Sequence, residues 1–218
     1  MNLCLFDLDN TLLRGDSDYE WTKYLVENDL IDEKKFKERN DKYFTQYQEG
    51  NLNINEFLGF QLGLLKKFNL SELNLIYNKF FEAKIKPMIT DDSFALIQKH
   101  ENDLKVIITA TNSFITKPIC EFLEVEELIA TIPEVKKNSF TGRVIGKPCF
   151  GKGKVDRLNQ WMKNKNFEWN SFKKSYFYSD SINDMPLLEL VNEPIAVNPD
   201  PKLKLLAKKR DWRIINLV

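Results

Sequence analysis

Apolar and polar positions follow two rhythms along this chain. A short apolar run, Leu3-Cys4-Leu5-Phe6, breaks directly into the acidic segment Asp7-Leu8-Asp9-Asn10-Thr11. From about residue 16 to residue 84 the apolar residues recur at helical spacing. Phe57, Phe60, Leu64 and Phe68 form one stripe; Leu73, Ile76, Tyr77 and Phe80 form another. Asn-rich stretches such as Glu49-Gly50-Asn51-Leu52-Asn53 separate these helices. No proline precedes Pro87, and all eight prolines lie from there on.

Beyond Pro87 the rhythm changes. Helices expected near 91–100, 115–123 and 154–165 alternate with compact apolar runs at 104–108, 128–132 and 176–179. Two more runs, 195–197 and 213–215, flank a further helix. A hairpin is expected around Thr141-Gly142-Arg143. Short apolar strands alternating with helices predict a parallel sheet. The expected fold is therefore α/β, with a Rossmann-like parallel sheet core and an inserted helical cap domain. The core would comprise 1–14 plus 87–218, and the cap 15–86. A chain of 218 residues is long enough for both.

Charge and cysteine content narrow the function classes. The 32 Lys and Arg residues balance 32 Asp and Glu, so there is no footprint for nucleic acid or an anionic membrane. No apolar run reaches bilayer-spanning length, and no signal-type leader precedes Leu3. Cys4, Cys120 and Cys149 show no metal-type spacing, which predicts reduced thiols in a cytoplasmic protein. The single histidine, His100, reads as the end of a surface helix. Histidine phosphatases and Ser-His-Asp hydrolases are then excluded.

In open α/β sheets, ligands bind beyond the carboxyl ends of the strands. Asp7 and Asp9 follow the first strand, and Thr109-Ala110-Thr111-Asn112 the second. Asp180-Ser181-Ile182-Asn183-Asp184 follows Tyr178-Ser179. Phe150-Gly151-Lys152-Gly153-Lys154 opens the helix that leads to that strand. Helix capping explains one such Asp well but two carboxylates within three residues poorly. Like charges held together need a cation, and Mg²⁺ takes oxygen ligands at about 2.0–2.1 Å. Asp7 and Asp180 would supply two carboxylates. The Thr109 hydroxyl, the Ala110 N–H and a lysine at a helix start would hold a phosphate. These are the parts that phosphoryl transfer requires.

Four motifs in this order resemble the haloacid dehalogenase superfamily of phosphatases: Asp7-Leu8-Asp9-Asn10-Thr11, Thr109, a lysine in Lys152-Gly153-Lys154, and Asp180 through Asp184. The helical insertion resembles the phosphoserine-phosphatase-like branch. The segments Asp7–Trp21, Thr109–Pro118 and Asn183–Pro199 are similar to its histidinol-phosphatase-like members. The resemblance implies a Mg²⁺-dependent phosphatase acting on a small-molecule phosphate monoester through a phospho-aspartate. Asp7 would be the nucleophile. Asp9 would protonate the leaving alcohol, then activate water, while its carbonyl contacts the metal. Asp180 would complete the metal ligands, and Asp184 would steady the metal or the lysine. Asn183 would touch the phosphate or that lysine, and Thr11 would support the loop. Lys152 and Lys154 each fit one branch's alignment.

The cap would set specificity. Asp16 stands where phosphoserine phosphatases carry a Glu that reads the substrate amine, with Asp18 beside it. Both acids also suit capping of the first cap helix. Gln61 stands where those enzymes carry an Arg for the serine carboxylate, and a neutral amide does not replace a bidentate guanidinium. A cationic substrate without a carboxylate, histidinol phosphate first, is expected. The alternatives are phosphoserine, phosphatidylglycerophosphate, a phosphotransferase with an acceptor other than water, or, in another class, a phospho-acceptor signalling domain.

Overall fold

A computed structural model describes residues 1–217. Its centre is a six-stranded parallel sheet of order β3-β2-β1-β6-β7-β8. In chain order the strands are β1 (Leu3–Phe6), β2 (Leu104–Asn112), β3 (Glu127–Thr131), β4 (Pro133–Lys136), β5 (Ser139–Val144), β6 (Ser175–Ser179), β7 (Glu193–Val197) and β8 (Arg213–Ile215). β1 is buried along its whole length because it packs on both faces. Its side chains alternate: Cys4 and Phe6 join Leu96, Ile97, Ile115 and Ile119 in one cluster. Leu3 and Leu5 join Leu158, Leu187 and Leu203 in the other. Helices α5 (Asp91–Gln98) and α6 (Ser113–Phe122) thus cover one face. Helices α7 (Lys152–Asn164), α8 (Met185–Leu188) and α9 (Pro201–Lys209) cover the opposite face.

Between β1 and α5 lie α1 (Ser17–Glu27), α2 (Glu33–Gln48), α3 (Ile54–Leu65) and α4 (Leu70–Phe80). Asparagines of the polar stretches start two of them. Asn53 caps α3, and Asn69 forms a capping box with Glu72 at α4. A π turn over Phe81–Ile85 and a 3₁₀ turn over Lys86–Met88 end the helical segment at Pro87. The chain leaves and re-enters the sheet layer side by side: Leu13 bridges Ile89, and the Arg14 N–H donates to the Met88 carbonyl at 2.8 Å.

Three expectations need correction. The second strand does not end before Thr109 but runs to Asn112, with an irregular register against β3 beyond Ile108. The hairpin turns at Lys137-Asn138, both at positive φ, rather than at Gly142. Gly142 lies inside β5, where the pairing with β4 slips, so it marks a bulge rather than a turn. His100 is buried, not on the surface. Its ring meets Cys4 Sγ (2.9 Å), Asp103 Oδ2 (3.1 Å) and the Tyr178 hydroxyl (2.8 Å), closing a network between β1, β6 and the turn that precedes β2. All three cysteines are free and buried. Among the described residues, no helix is long and apolar enough to cross a membrane.

Candidate active site

The site is assembled where the carboxyl ends of β1, β2 and β6 meet the first turn of α7. Asp7 follows β1 directly, and its Oδ1 accepts from Lys154 Nζ at 2.8 Å. The same ammonium donates to Asp184 Oδ2 at 2.7 Å, and Ser179 Oγ donates to that oxygen at 2.7 Å. Lys154 is fully buried between the two carboxylates. Lys152, two residues earlier, is exposed. Gly153 fixes this geometry. A Cβ there would lie 2.1 Å from the Pro148 carbonyl oxygen, so only glycine lets the start of α7 approach closely enough.

Thr11 and Asp180 are locked together. The Asp180 N–H donates to Thr11 Oγ1 (3.0 Å), and that hydroxyl lies 3.3 Å from Asp180 Oδ1. Asp9, two residues beyond Asp7, has a different environment. Its Oδ1 accepts from the Ser17 N–H at 2.7 Å and its Oδ2 from Thr111 Oγ1 at 2.8 Å. Thr109 Oγ1 accepts from the Thr111 N–H, which tightens the irregular end of β2. The Ala110 carbonyl is held by Thr131.

Burial governs the charges. It pushes the Asp7 carboxyl up to about 7; Lys154 pulls it down, while Asp184 and Asp9 add to the rise. Asp180 is raised by burial and then by Asp7 and Asp184. Asp9 is raised by burial against the hydrogen bonds from Ser17 and Thr111. Burial alone would pull the Lys154 ammonium down, but Asp184 and Asp7 outweigh it and hold it charged.

A cavity opens between this cluster and the helical segment. Asp7, Asp9 and Thr109 through Thr111 form its core side. Asp16, Asp18 and Tyr19 line it from α1, and Tyr43, Phe44 and Tyr47 from α2. Asp16 also caps α1 by accepting from the Tyr19 N–H at 2.8 Å. Burial and the neighbouring Asp9 push its carboxyl up to about 7. Asn183 is not among the lining residues; its amide donates to the Tyr47 carbonyl and to Ser181 Oγ, joining the sheet layer to α2. Gln61 is likewise absent from the lining. Its amide lies buried between Thr22 Oγ1 and the Asp18 carbonyl.

Sequence reasoning missed Ser179, Thr111 and the aromatic wall. Ser179 had a positional signal, directly preceding the Asp180 motif. Tyr43, Phe44 and Tyr47 cluster at helical spacing on a helix whose other residues, Phe36 apart, are polar, which is a detectable pattern.

A family model described as haloacid dehalogenase-like hydrolase matches residues 4–189. The chain belongs to this family. A histidinol-phosphatase of Neisseria meningitidis serogroup C (strain 8013) is 40% identical, over 99% of this chain and 98% of that protein. A solved protein of unknown function from Bordetella pertussis Tohama I is 42% identical, with a TM-score of 0.94 over 100% of this chain and 99% of its own. A phosphoserine phosphatase solved as a phospho-aspartyl intermediate analogue has a TM-score of 0.69 at 20% identity, covering 98% and 91%. That last likeness shows a shared fold. The comparisons support the enzyme class expected from the motifs, a phosphatase.

Proposed function

We propose that this hydrolase is a cytoplasmic, Mg²⁺-dependent phosphatase that cleaves histidinol phosphate through a phospho-aspartate at Asp7. The supporting observation is the contrast between two carboxylates two residues apart. Asp7 faces a buried ammonium, whereas Asp9 is held by neutral donors on the other side of the loop. Lys154 pulls the Asp7 carboxyl down against its burial, and a cation held by Asp7 and Asp180 would pull it down further; the ionised carboxylate then attacks phosphorus without an activating base. A buried carboxyl raised by its surroundings, as Asp9 is, suits proton delivery to the leaving alcohol and then proton removal from water. Lys154, Thr109 Oγ1 and backbone N–H groups at the end of β2 would bind the phosphoryl oxygens.

The donor set fits Mg²⁺. Asp7 and Asp180 are hard oxygen ligands, Asp7 adds to the rise of the Asp180 carboxyl, and a divalent cation would relieve that repulsion. Bound there, it would neutralise phosphoryl charge and orient the ester. Residues 15–86 would act as a cap on a core of 1–14 plus 87–218, joined at the paired segments around Leu13 and Ile89.

The substrate reading rests on the relative's name and on the cavity's chemistry. No Lys or Arg lines the cavity among the described residues, so nothing there pairs with a serine carboxylate. Acids and aromatic rings suit a cation bearing a flat ring. The test is turnover with Mg²⁺ on histidinol phosphate, phosphoserine, phosphatidylglycerophosphate and p-nitrophenyl phosphate, with acid-quench trapping of labelled protein. Preference for phosphoserine sinks the substrate reading. A stable label with no turnover favours a phospho-acceptor domain.

A further inference from the structure

Buried polar atoms without a hydrogen-bond partner are rare in folded proteins and mark places that call for explanation. Here Ser17 Oγ, Asp18 Oδ2 and Trp21 Nε1 are the buried side-chain atoms without a partner among the described residues. All three fall on the first turns of one helix, α1. Asp18 is 1% exposed and lines the cavity.

The rest of Asp18 is held firmly. Its Oδ1 accepts from Asn112 Nδ2 at 3.2 Å. Its carbonyl lies within 3.2 Å of Gln61 Nε2 and 3.4 Å of Thr22 Oγ1, and Thr22 Oγ1 lies 3.2 Å from Gln61 Oε1. Asn112 in turn caps α6 through the Ile115 N–H. One carboxylate oxygen is thus fixed by the fold while the other is left without a partner. Asp16 differs, because its carboxylate already caps α1 through the Tyr19 N–H.

We propose that Asp18, rather than Asp16, reads a cationic nitrogen of the substrate, with the rings of Tyr19, Phe44 and Tyr47 flanking the organic group. Tyr19 and Phe44 pack with ring centroids 4.8 Å apart, and both line the cavity, as does Tyr47. Burial, Asp16 and Asp9 make the Asp18 carboxylate unfavourable; Asn112 and the nearby Thr111 hydroxyl relieve this only in part, since Thr111 already donates its one proton to Asp9, and an ammonium at Oδ2 would relieve the rest. Gln61 is then a positioning residue. It touches no ligand and sets where α1 presents Asp18.

This inference rests on the phosphatase reading, and the experiment separates the two. kcat/KM is measured for wild type, Asp18→Asn and Phe44→Leu on histidinol phosphate, ethanolamine phosphate and p-nitrophenyl phosphate. Asp18→Asn keeps an oxygen for Asn112 and removes only the charge. It should lower both amine-bearing substrates by roughly ten- to a hundredfold and leave p-nitrophenyl phosphate within about twofold. Phe44→Leu should cost histidinol phosphate several-fold more than ethanolamine phosphate. In the wild type, the phosphate of the deaminated alcohol should run roughly ten- to a hundredfold below histidinol phosphate, a comparison that needs no variant to fold. Equal losses for charged and neutral substrates in Asp18→Asn, or no penalty for the deaminated substrate, overturn the assignment to Asp18. Absence of wild-type turnover on every ester overturns the phosphatase reading instead.

Discussion

Two acidic groups face one another across the same cavity, and they are built on opposite terms. At the end of the sheet, Asp7 and Asp184 share a buried lysine, and Thr11 steadies Asp180. On the first turn of α1, Asp18 is clamped by Asn112 yet keeps an oxygen without a partner. In the first arrangement the fold itself supplies partners for the acids. In the second it leaves one carboxylate oxygen open. Polar groups that the fold satisfies give rigidity; those it leaves unsatisfied give selectivity, because only a matching ligand relieves them.

The most severe test of this contrast is Asp7→Asn. It should reduce turnover to background, with the fold retained by circular dichroism. Substantial activity in a pure preparation would remove the covalent mechanism. Asp9→Asn should slow turnover by about 10²–10⁴-fold. A burst of alcohol without trapped label under acid quench would count against its role. Lys154→Ala leaves two buried carboxylates without their cation, and should cost about 3–5 kcal/mol of stability in denaturant titrations as well as activity. Lys152→Ala should change neither measurement, since that side chain is exposed. Gly153→Ala should lower stability by about 1–3 kcal/mol, because its Cβ meets backbone rather than a movable side chain.

The smallest effect is a pH dependence. Asp7 and Asp16 both rise from 3.8 to about 7 without a metal. A carboxyl raised on folding contributes stability that is fully present below its unfolded pKa and lost as pH rises through the folded one. Melting temperature measured in EDTA should therefore fall from pH 5 to pH 8. Excess Mg²⁺ should flatten that slope through Asp7. An unchanged slope would mean that the metal does not reach Asp7.

The two regions also differed in how readily the sequence disclosed them. Strand β1 and its acids were legible because an apolar run broken by two aspartates has few other readings. Sequence favours Lys154 over Lys152 only slightly, since both sit at one helix start. What separates them is the contact of Gly153 with Pro148, a tertiary fact invisible in local pattern. Gln61 was placed by counting along an insertion, and counting does not reveal that its amide turns toward Thr22 and Asp18. His100 was misread because nothing near it in sequence announces Cys4 or Tyr178, which are 96 and 78 residues away. The parallel sheet followed from alternation, whereas the hairpin turn was assigned to a glycine when Lys137-Asn138 adopted positive φ instead.

β1 holds the middle of the sheet, yet its partners begin at residues 104 and 175. This strand, made before every other strand of the sheet, therefore waits longest for its second neighbour. At ordinary elongation rates it waits roughly ten to thirty seconds for β6 to be made. Parallel partners offer no local hairpin to shelter it meanwhile. The strand that leads into Asp7 is thus the one whose edge stays open longest while the chain is made.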